Sequence, residues 1–217
     1  MKIPHDIKAV IFDMDGLMID SEPYWEKTTM ALFAKQNKPY SPIINEYAHG
    51  RGLRDVIEYF KREWGIVGET DALIAERKEM LYEFLLNDLS FMEGAQELIR
   101  AIHKKSIPLA IATSAHVKER TNEILSKVDL AKVFAVTVSG EDVKKGKPAP
   151  DIYLKTAELL NIDPSQCLVF EDAPNGVIAA KAAGMTVYGI NKDEDFYSKL
   201  KEVGADEVFR SLKEVTV

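Results

Sequence analysis

Short unbroken apolar runs alternate with longer amphipathic segments along most of this chain, and the alternation is interrupted once. Ala9-Val10-Ile11-Phe12 is such a run, rich in β-branched residues and ended abruptly by charge. A run of this kind reads as a strand covered on both faces, as in the middle of a parallel sheet. Similar runs occur at 109–113, 133–138, 167–170 and 186–190, with helical spacing at 95–104, 117–127, 151–160 and 177–183. Strands alternating with helices predict an α/β, doubly wound parallel sheet. Between 22 and 92 the pattern changes. Val56, Ile57, Phe60 and Trp64 share one helical face, and Leu73, Ile74, Arg77, Met80, Leu81, Phe84 and Leu85 form a second helical series. An all-helical unit is therefore expected over 22–92, inserted into a sheet domain made of 1–21 and 93–217.

The strand ends carry the chemistry. The first run stops at Asp13-Met14-Asp15-Gly16, which places two carboxylates at the rim where ligands bind in parallel sheets. A polar turn would account for that sequence alone. An EF-hand loop would not, because with Gly16 at its sixth position the first ligand would be Ile11. The second run ends in Thr113-Ser114, a hydroxyl and free amides at a helix start, suited to an anionic oxygen. Gly146-Lys147-Pro148 offers an ammonium; the spacing from Gly140 and the proline after Lys147 exclude a phosphate-binding Walker loop. Leu168-Val169-Phe170 ends in Glu171-Asp172, with Asn175-Gly176 opening the next helix. An N-cap, a surface lysine or a favourable helix-terminal charge would explain each feature singly. Their joint occurrence at successive strand ends points to one site.

Composition narrows the partner. With 46% hydrophobic and 29% charged residues over 217 positions, the chain has the make-up of a soluble globular protein with a substantial core. Its formal charge of -7 argues against general affinity for nucleic acid or anionic membranes, leaving a small molecule as the expected partner. The single cysteine, Cys167, lies inside an apolar run and reads as a buried filler, consistent with a reducing cytoplasm. No export signal or membrane-length apolar stretch is evident.

Taken together, Phe12-Asp13-Met14-Asp15-Gly16-Leu17 with Asp20-Ser21-Glu22-Pro23, Ala112-Thr113-Ser114, Gly146-Lys147-Pro148-Ala149-Pro150-Asp151, and Val169-Phe170-Glu171-Asp172-Ala173-Pro174-Asn175-Gly176 resemble, in order, the four motifs of the haloacid dehalogenase-like phosphohydrolases that carry a helical cap. The likeness covers nearly the whole chain. It is strongest to the branch holding sugar-phosphate and pseudouridine-monophosphate phosphatases and β-phosphoglucomutase. The resemblance implies a Rossmann-like core, magnesium dependence and an aspartyl-phosphate intermediate. It further implies Asp13 as nucleophile, Asp15 as general acid and base, Lys147 as the neutralising cation, and Thr113 and Ser114 as phosphate holders. The metal would be held by Asp13, the Asp15 carbonyl and Asp172, with Glu171 in or near the ligand set.

A carboxylate approaching a phosphate needs such cations, since each like-charge pair at ~4 Å costs about 4 kcal/mol at an effective dielectric of 20. The dehalogenase branch would leave Asp15, Glu171 and Asp172 without a task. The mutase has a cap histidine where this chain has Trp25, which favours a phosphatase; Met92-Glu93-Gly94 replaces the family's usual Pro-Gly at re-entry to the core. Glu22, Trp25, His49, Arg51 and Arg54 are the candidate cap contacts to substrate. A cap joined near Ser21-Glu22 and Glu93-Gly94 would act as a lid over a small phosphorylated metabolite in a monomeric enzyme. A mutase and a weakly active binding protein on the same scaffold are the alternatives.

Overall fold

The computed structural model describes residues 2–48, 51–114 and 118–217. The chain divides into two compact units, Met1–Asp20 with Ser90–Val217, and Ser21–Leu89. The first is a six-stranded sheet of β1 (Ala9–Phe12), β2 (Leu109–Thr113), β3 (Val136–Ser139), β4 (Cys167–Glu171), β5 (Thr186–Ile190) and β6 (Glu207–Phe209), in the order β3-β2-β1-β4-β5-β6. Every neighbouring pair is parallel. This is the Rossmann-like order, and its direction reverses between β1 and β4, so a crevice opens beyond the carboxyl ends of those two strands.

The apolar runs are explained by burial on both sides. All residues of β1, β2 and β4 are buried. On one face Phe12 stacks on Phe170 at 5.0 Å, Phe170 meets Tyr188 edge-on at 5.8 Å, and Tyr188 meets Phe209 at 5.5 Å, so a row of rings crosses the sheet just below the strand ends. The opposite face, with Ala9, Ile11, Ala110, Ala112 and Val169, packs on α7 (Asp151–Leu160) and α8 (Pro174–Ala182). Small residues on that side let the helices approach closely. Cys167 is fully buried there, and burial raises its thiol to about 11.

Three segments differ from the sequence pattern. The run at 133–138 begins as a 3-10 turn, Ala131–Val133, and β3 starts only at Val136, because Phe134 turns aside to meet the Phe12 ring edge-on at 6.4 Å. α8 starts three residues earlier than the apolar spacing suggests, with Pro174 in its first turn, where a missing N–H is harmless. Beyond Ile190 the pattern assigned no element, yet α9 (Glu194–Glu202) and β6 are formed. α9 is largely polar and is started by Asp193, whose carboxylate accepts from the Asp195 and Phe196 amides.

The second unit is all-helical: α1 (Glu22–Lys35), α2 (Ile43–Ala48), α3 (Leu53–Trp64) and α4 (Thr70–Asn87). Leu32, Phe33, Ile44, Val56, Ile57, Phe60, Ile66 and Leu73 form its core. The helix that carries Val56, Ile57, Phe60 and Trp64 starts before the apolar series, since Leu53, Arg54 and Asp55 already belong to α3. Arg77, on the apolar stripe of α4, is buried and donates to the Thr28 and Thr29 hydroxyls at 3.1 and 2.9 Å and to the Trp25 carbonyl at 3.3 Å. Desolvation brings it down to about 10, which leaves it charged at neutral pH.

Inside the sheet unit, the stretch that leaves toward the helices and the one that returns lie side by side. Ile19 bridges Phe91 in antiparallel fashion, Asp20 N–H donates to Ser90 O at 3.0 Å, and Met92 N–H donates to Met18 O at 2.9 Å. No helix among the described residues is long and apolar enough to cross a membrane. α5 (Ala95–Lys104), α6 (Lys118–Ser126), α7, α8 and α9 supply the helical layers of the sheet unit.

Candidate active site

Each strand around the reversal point contributes a polar end. At β1 the ladder continues one residue past the strand, with Asp13 N–H donating to Phe170 O at 3.1 Å, so the Asp13 carboxylate is held at the rim and is 8% exposed. The chain then folds back tightly: Gly16 N–H donates to Ile19 O at 2.8 Å, while Met18 and Ile19 N–H both donate to Met14 O. Met14, Leu17, Met18 and Ile19 are fully buried and anchor this turn, leaving Asp15 half-buried at its mouth. Gly16 has φ +79, and a Cβ there would also overlap the Asp172 carboxylate. Both conditions call for glycine.

β2 ends in buried Thr113, followed by exposed Ser114. β1 and β2 are registered Phe12 to Ile111, which sets Asp13 level with Ala112. β3 ends at Ser139, where Ser139 and Asp142 form a capping box before the chain runs on to Lys147. β4 ends at Glu171, only 1% exposed, and Asp172 follows, half-buried. Asn191, just past β5, donates from Nδ2 to the Asp172 carbonyl at 3.1 Å and steadies that segment.

Lys147 ties these ends together. Its Nζ donates to Asp13 Oδ1 at 2.5 Å, Glu171 Oε1 at 2.6 Å and the Ala112 carbonyl at 3.1 Å, so all three ammonium hydrogens have acceptors. Glu171 Oε1 also accepts from the Tyr153 hydroxyl, and Oε2 from the Asp172 and Ala173 amides at 3.2 and 3.4 Å. Carboxylate oxygens of Asp13, Glu171 and Asp172 lie within 4.8 Å of one another.

The electrostatics follow from this crowding. Burial, with Glu171 adding and Lys147 opposing, raises Asp13 to about 7. Burial and then the neighbouring Asp13 and Glu171 hold Asp172 well above the usual carboxylate range. Burial works against charge on Lys147, but Asp13 and Glu171 outweigh it and keep the ammonium well above its ordinary value. Fully ionised, three carboxylates and one ammonium carry two excess negative charges, which one divalent cation would cancel. Clustered carboxylate oxygens are hard donors of the kind that divalent cations such as magnesium take. The donor set therefore fits such an ion.

Lys147 thus bonds Asp13 and Glu171, and the Asp172 carboxylate lies within 4.8 Å of both of theirs, while Thr113 and Ser114 stand on the adjoining strand end and Asp15 in the turn that follows β1. The cap candidates belong to the helical unit. Glu22 is exposed at the start of α1; Trp25 is half-buried, its ring 5.3 Å from the Arg77 guanidinium. Arg51 stacks on Tyr47 at 4.3 Å, and Arg54 pairs with Asp71 in solvent. His49 lies outside the described residues.

Tyr153 and Asn191 are the additions that folding reveals. Tyr153 sits in the first turn of the helix that Pro150 opens, six positions after Lys147, but its helical spacing reads as core. Gly176 makes room for Glu171, whose carboxylate occupies the space a Cβ would take.

Protonation of the cluster gives a test. Metal can bind only deprotonated carboxylates, so it must displace the proton that Asp13 holds up to about 7. Magnesium affinity is expected to rise between pH 6 and 8, with protons released on binding, measured calorimetrically in buffers of different ionisation enthalpy. The sign for stability is opposite. An acid whose folded pKa exceeds its unfolded value stabilises the fold at low pH, and that contribution is lost as pH rises through about 7. The metal-free protein should melt lower at pH 8 than at pH 5 on this account, and magnesium should offset the difference.

The chain is similar to known proteins along most of its length. A family model described as haloacid dehalogenase-like hydrolase matches residues 7–184. A phosphorylated carbohydrates phosphatase of Thermotoga maritima is 34% identical over 220 residues, covering 96% of this chain and 100% of the relative. Hexitol phosphatase A of Escherichia coli K12 is 33% identical, covering 97% and 94%. A Thermotoga maritima crystal structure, provisionally assigned as a beta-phosphoglucomutase, superposes with a TM-score of 0.79 at 32% identity, covering 95% and 96% of the two chains. The chain belongs to the haloacid dehalogenase-like hydrolases.

Proposed function

We propose that this protein is a magnesium-dependent phosphomonoester hydrolase that acts on a small phosphorylated metabolite, a sugar or sugar-alcohol phosphate or a nucleoside monophosphate, through an aspartyl-phosphate intermediate. The observation that carries this reading is Lys147, which bridges Asp13 and Glu171 at the switch point of the sheet. The relatives named for phosphorylated carbohydrates and hexitols support the sugar side of the range.

In this reading an Asp13 oxygen forms the bond to phosphorus while the bond to the leaving oxygen breaks, and Asp15 gives that alkoxide its proton. Asp15 then takes a proton from water, whose oxygen attacks phosphorus as the bond to Asp13 breaks, releasing phosphate and restoring the carboxylate. Lys147 neutralises Asp13 and the transferring oxygens, and the Thr113 hydroxyl and Ser114 amide hold the phosphoryl group. Magnesium, held by Asp13, the Asp15 carbonyl and Asp172 with Glu171 in or beside the set, would supply the positive charge that offsets repulsion between nucleophile and phosphate. The helical unit would act as the lid that selects the leaving group, with Glu22, Trp25, His49, Arg51 and Arg54 as its candidate contacts.

Phosphate release from a panel of sugar, polyol and nucleoside monophosphates, with and without magnesium, tests the proposal. Metal-dependent release from at least one small phosphomonoester is expected; no release from any of them would refute it. The solved structure assigned as a mutase favours one other reading. A mutase would isomerise β-glucose 1-phosphate in the presence of a bisphosphate primer and release little phosphate.

A further inference from the structure

Glu171 presents an unusual anchoring problem. Its carboxylate is buried at a strand end, and its cationic donor is Lys147 Nζ at 2.6 Å. Yet Lys147 has no hydrogen to spare, since the other two go to Asp13 and the Ala112 carbonyl. In the reaction proposed above, Lys147 must turn a hydrogen toward an oxygen of the transferring phosphoryl group. Whichever contact it loosens, the position of the ammonium then depends on acceptors that stay where they are. The backbone amides on Glu171 Oε2 are long, at 3.2 and 3.4 Å, and leave Oε1 to be fixed from elsewhere.

The Tyr153 hydroxyl meets that need. It donates to the same oxygen, Oε1, that accepts from Lys147. Its ring is fully buried in the core between the sheet and α7, and lies 5.1 Å from Lys147 Nζ, so one rigid side chain touches both members of the pair. A phenol has two side-chain torsions to fix, and burial among packed residues fixes both. The anchor therefore does not move with the ammonium.

We propose that Tyr153 is a positioning residue that holds the Glu171 carboxylate in place, so that Lys147 is kept between Glu171 and the nucleophile while it serves the phosphoryl group. This rests on the phosphatase reading above. Its effect is exerted on Lys147 and on the metal-binding carboxylates through Glu171, and Tyr153 itself touches no substrate. Partners of this outer kind typically change metal affinity or activity by about 10-fold to 100-fold when removed.

Tyr153→Phe keeps the ring and deletes only the hydroxyl. With para-nitrophenyl phosphate as substrate, kcat should fall about 10-fold with KM within about twofold, and magnesium should bind the substrate-free protein about 10-fold more weakly by calorimetry. The decisive readout is a double-mutant cycle on magnesium affinity. In a Glu171→Gln background, Tyr153→Phe should add less than about a twofold change, because the side chain it orients is no longer a carboxylate. Wild-type kcat and metal affinity in Tyr153→Phe would overturn the proposal, as would an equal loss in both backgrounds. A Tyr153→Phe protein that did not fold would also overturn it, since the hydroxyl would then be structural. If instead the wild type released no phosphate from any phosphomonoester, the functional reading would fall, a result distinct from an active wild type matched by its Phe variant.

Discussion

Asp13→Asn should abolish turnover, lowering phosphate release by about 10,000-fold, while leaving the circular dichroism spectrum unchanged. The amide is nearly the same size and keeps an acceptor for the Lys147 ammonium that now sits 2.5 Å from Asp13 Oδ1. It lacks the anionic oxygen that would attack phosphorus. Loss of stability is not expected without metal, because the substitution removes one of three carboxylates that crowd one another. The melting temperature of the metal-free variant should equal or exceed that of the wild type, and magnesium should raise it less. A variant that kept even a tenth of wild-type activity would sink the nucleophile assignment.

Gly176→Ala should be severely damaging, with activity down about 100-fold and magnesium affinity reduced in parallel. A Cβ at this position would overlap the Glu171 carboxylate, and that carboxylate has nowhere convenient to go: Lys147, Tyr153 and two backbone amides hold it. Gly146→Ala is the matched control. Nothing lies within 4 Å of a Cβ at Gly146, although it adjoins Lys147, so its activity should stay within about twofold of wild type. Equal effects from the two substitutions, measured by phosphate release and metal titration, would show that the packing around Glu171 is not what matters.

These two glycines also show where reading the chain by pattern stops. Buried strands announce themselves because a strand covered on both faces needs apolar residues along its length, and β1, β2 and β4 meet that need up to the polar residue that closes β2 and β4. The polar residues that end them are visible for the same reason, as breaks in an apolar run. α9 and β6 escape notice because the helix is mostly charged and the strand has three residues. The early start of α3 is hidden by Gly52, which opens the helix and reads as part of a loop. Tyr153 belongs to the site only through distance in space, being indistinguishable from a core tyrosine until Glu171 is folded against it, and the space that Gly176 leaves for that carboxylate is likewise visible only in the fold. Which side chains of the helical unit meet a substrate depends on that same three-dimensional information, and no spacing rule supplies it.

The hydrogen bond between Asp20 and Ser90 makes the two ends of the helical segment next-door neighbours. The chain accordingly leaves and re-enters the sheet unit through one doorway of neighbouring backbone, and that unit's own connectivity does not depend on how many residues lie between. Excising 21–89 and closing the gap with an Asn-Gly hairpin turn demands no rearrangement of the flanking backbone. The same doorway would accept a helical segment of different length or sequence at little conformational cost, which makes the insert a replaceable module on a constant chemical engine.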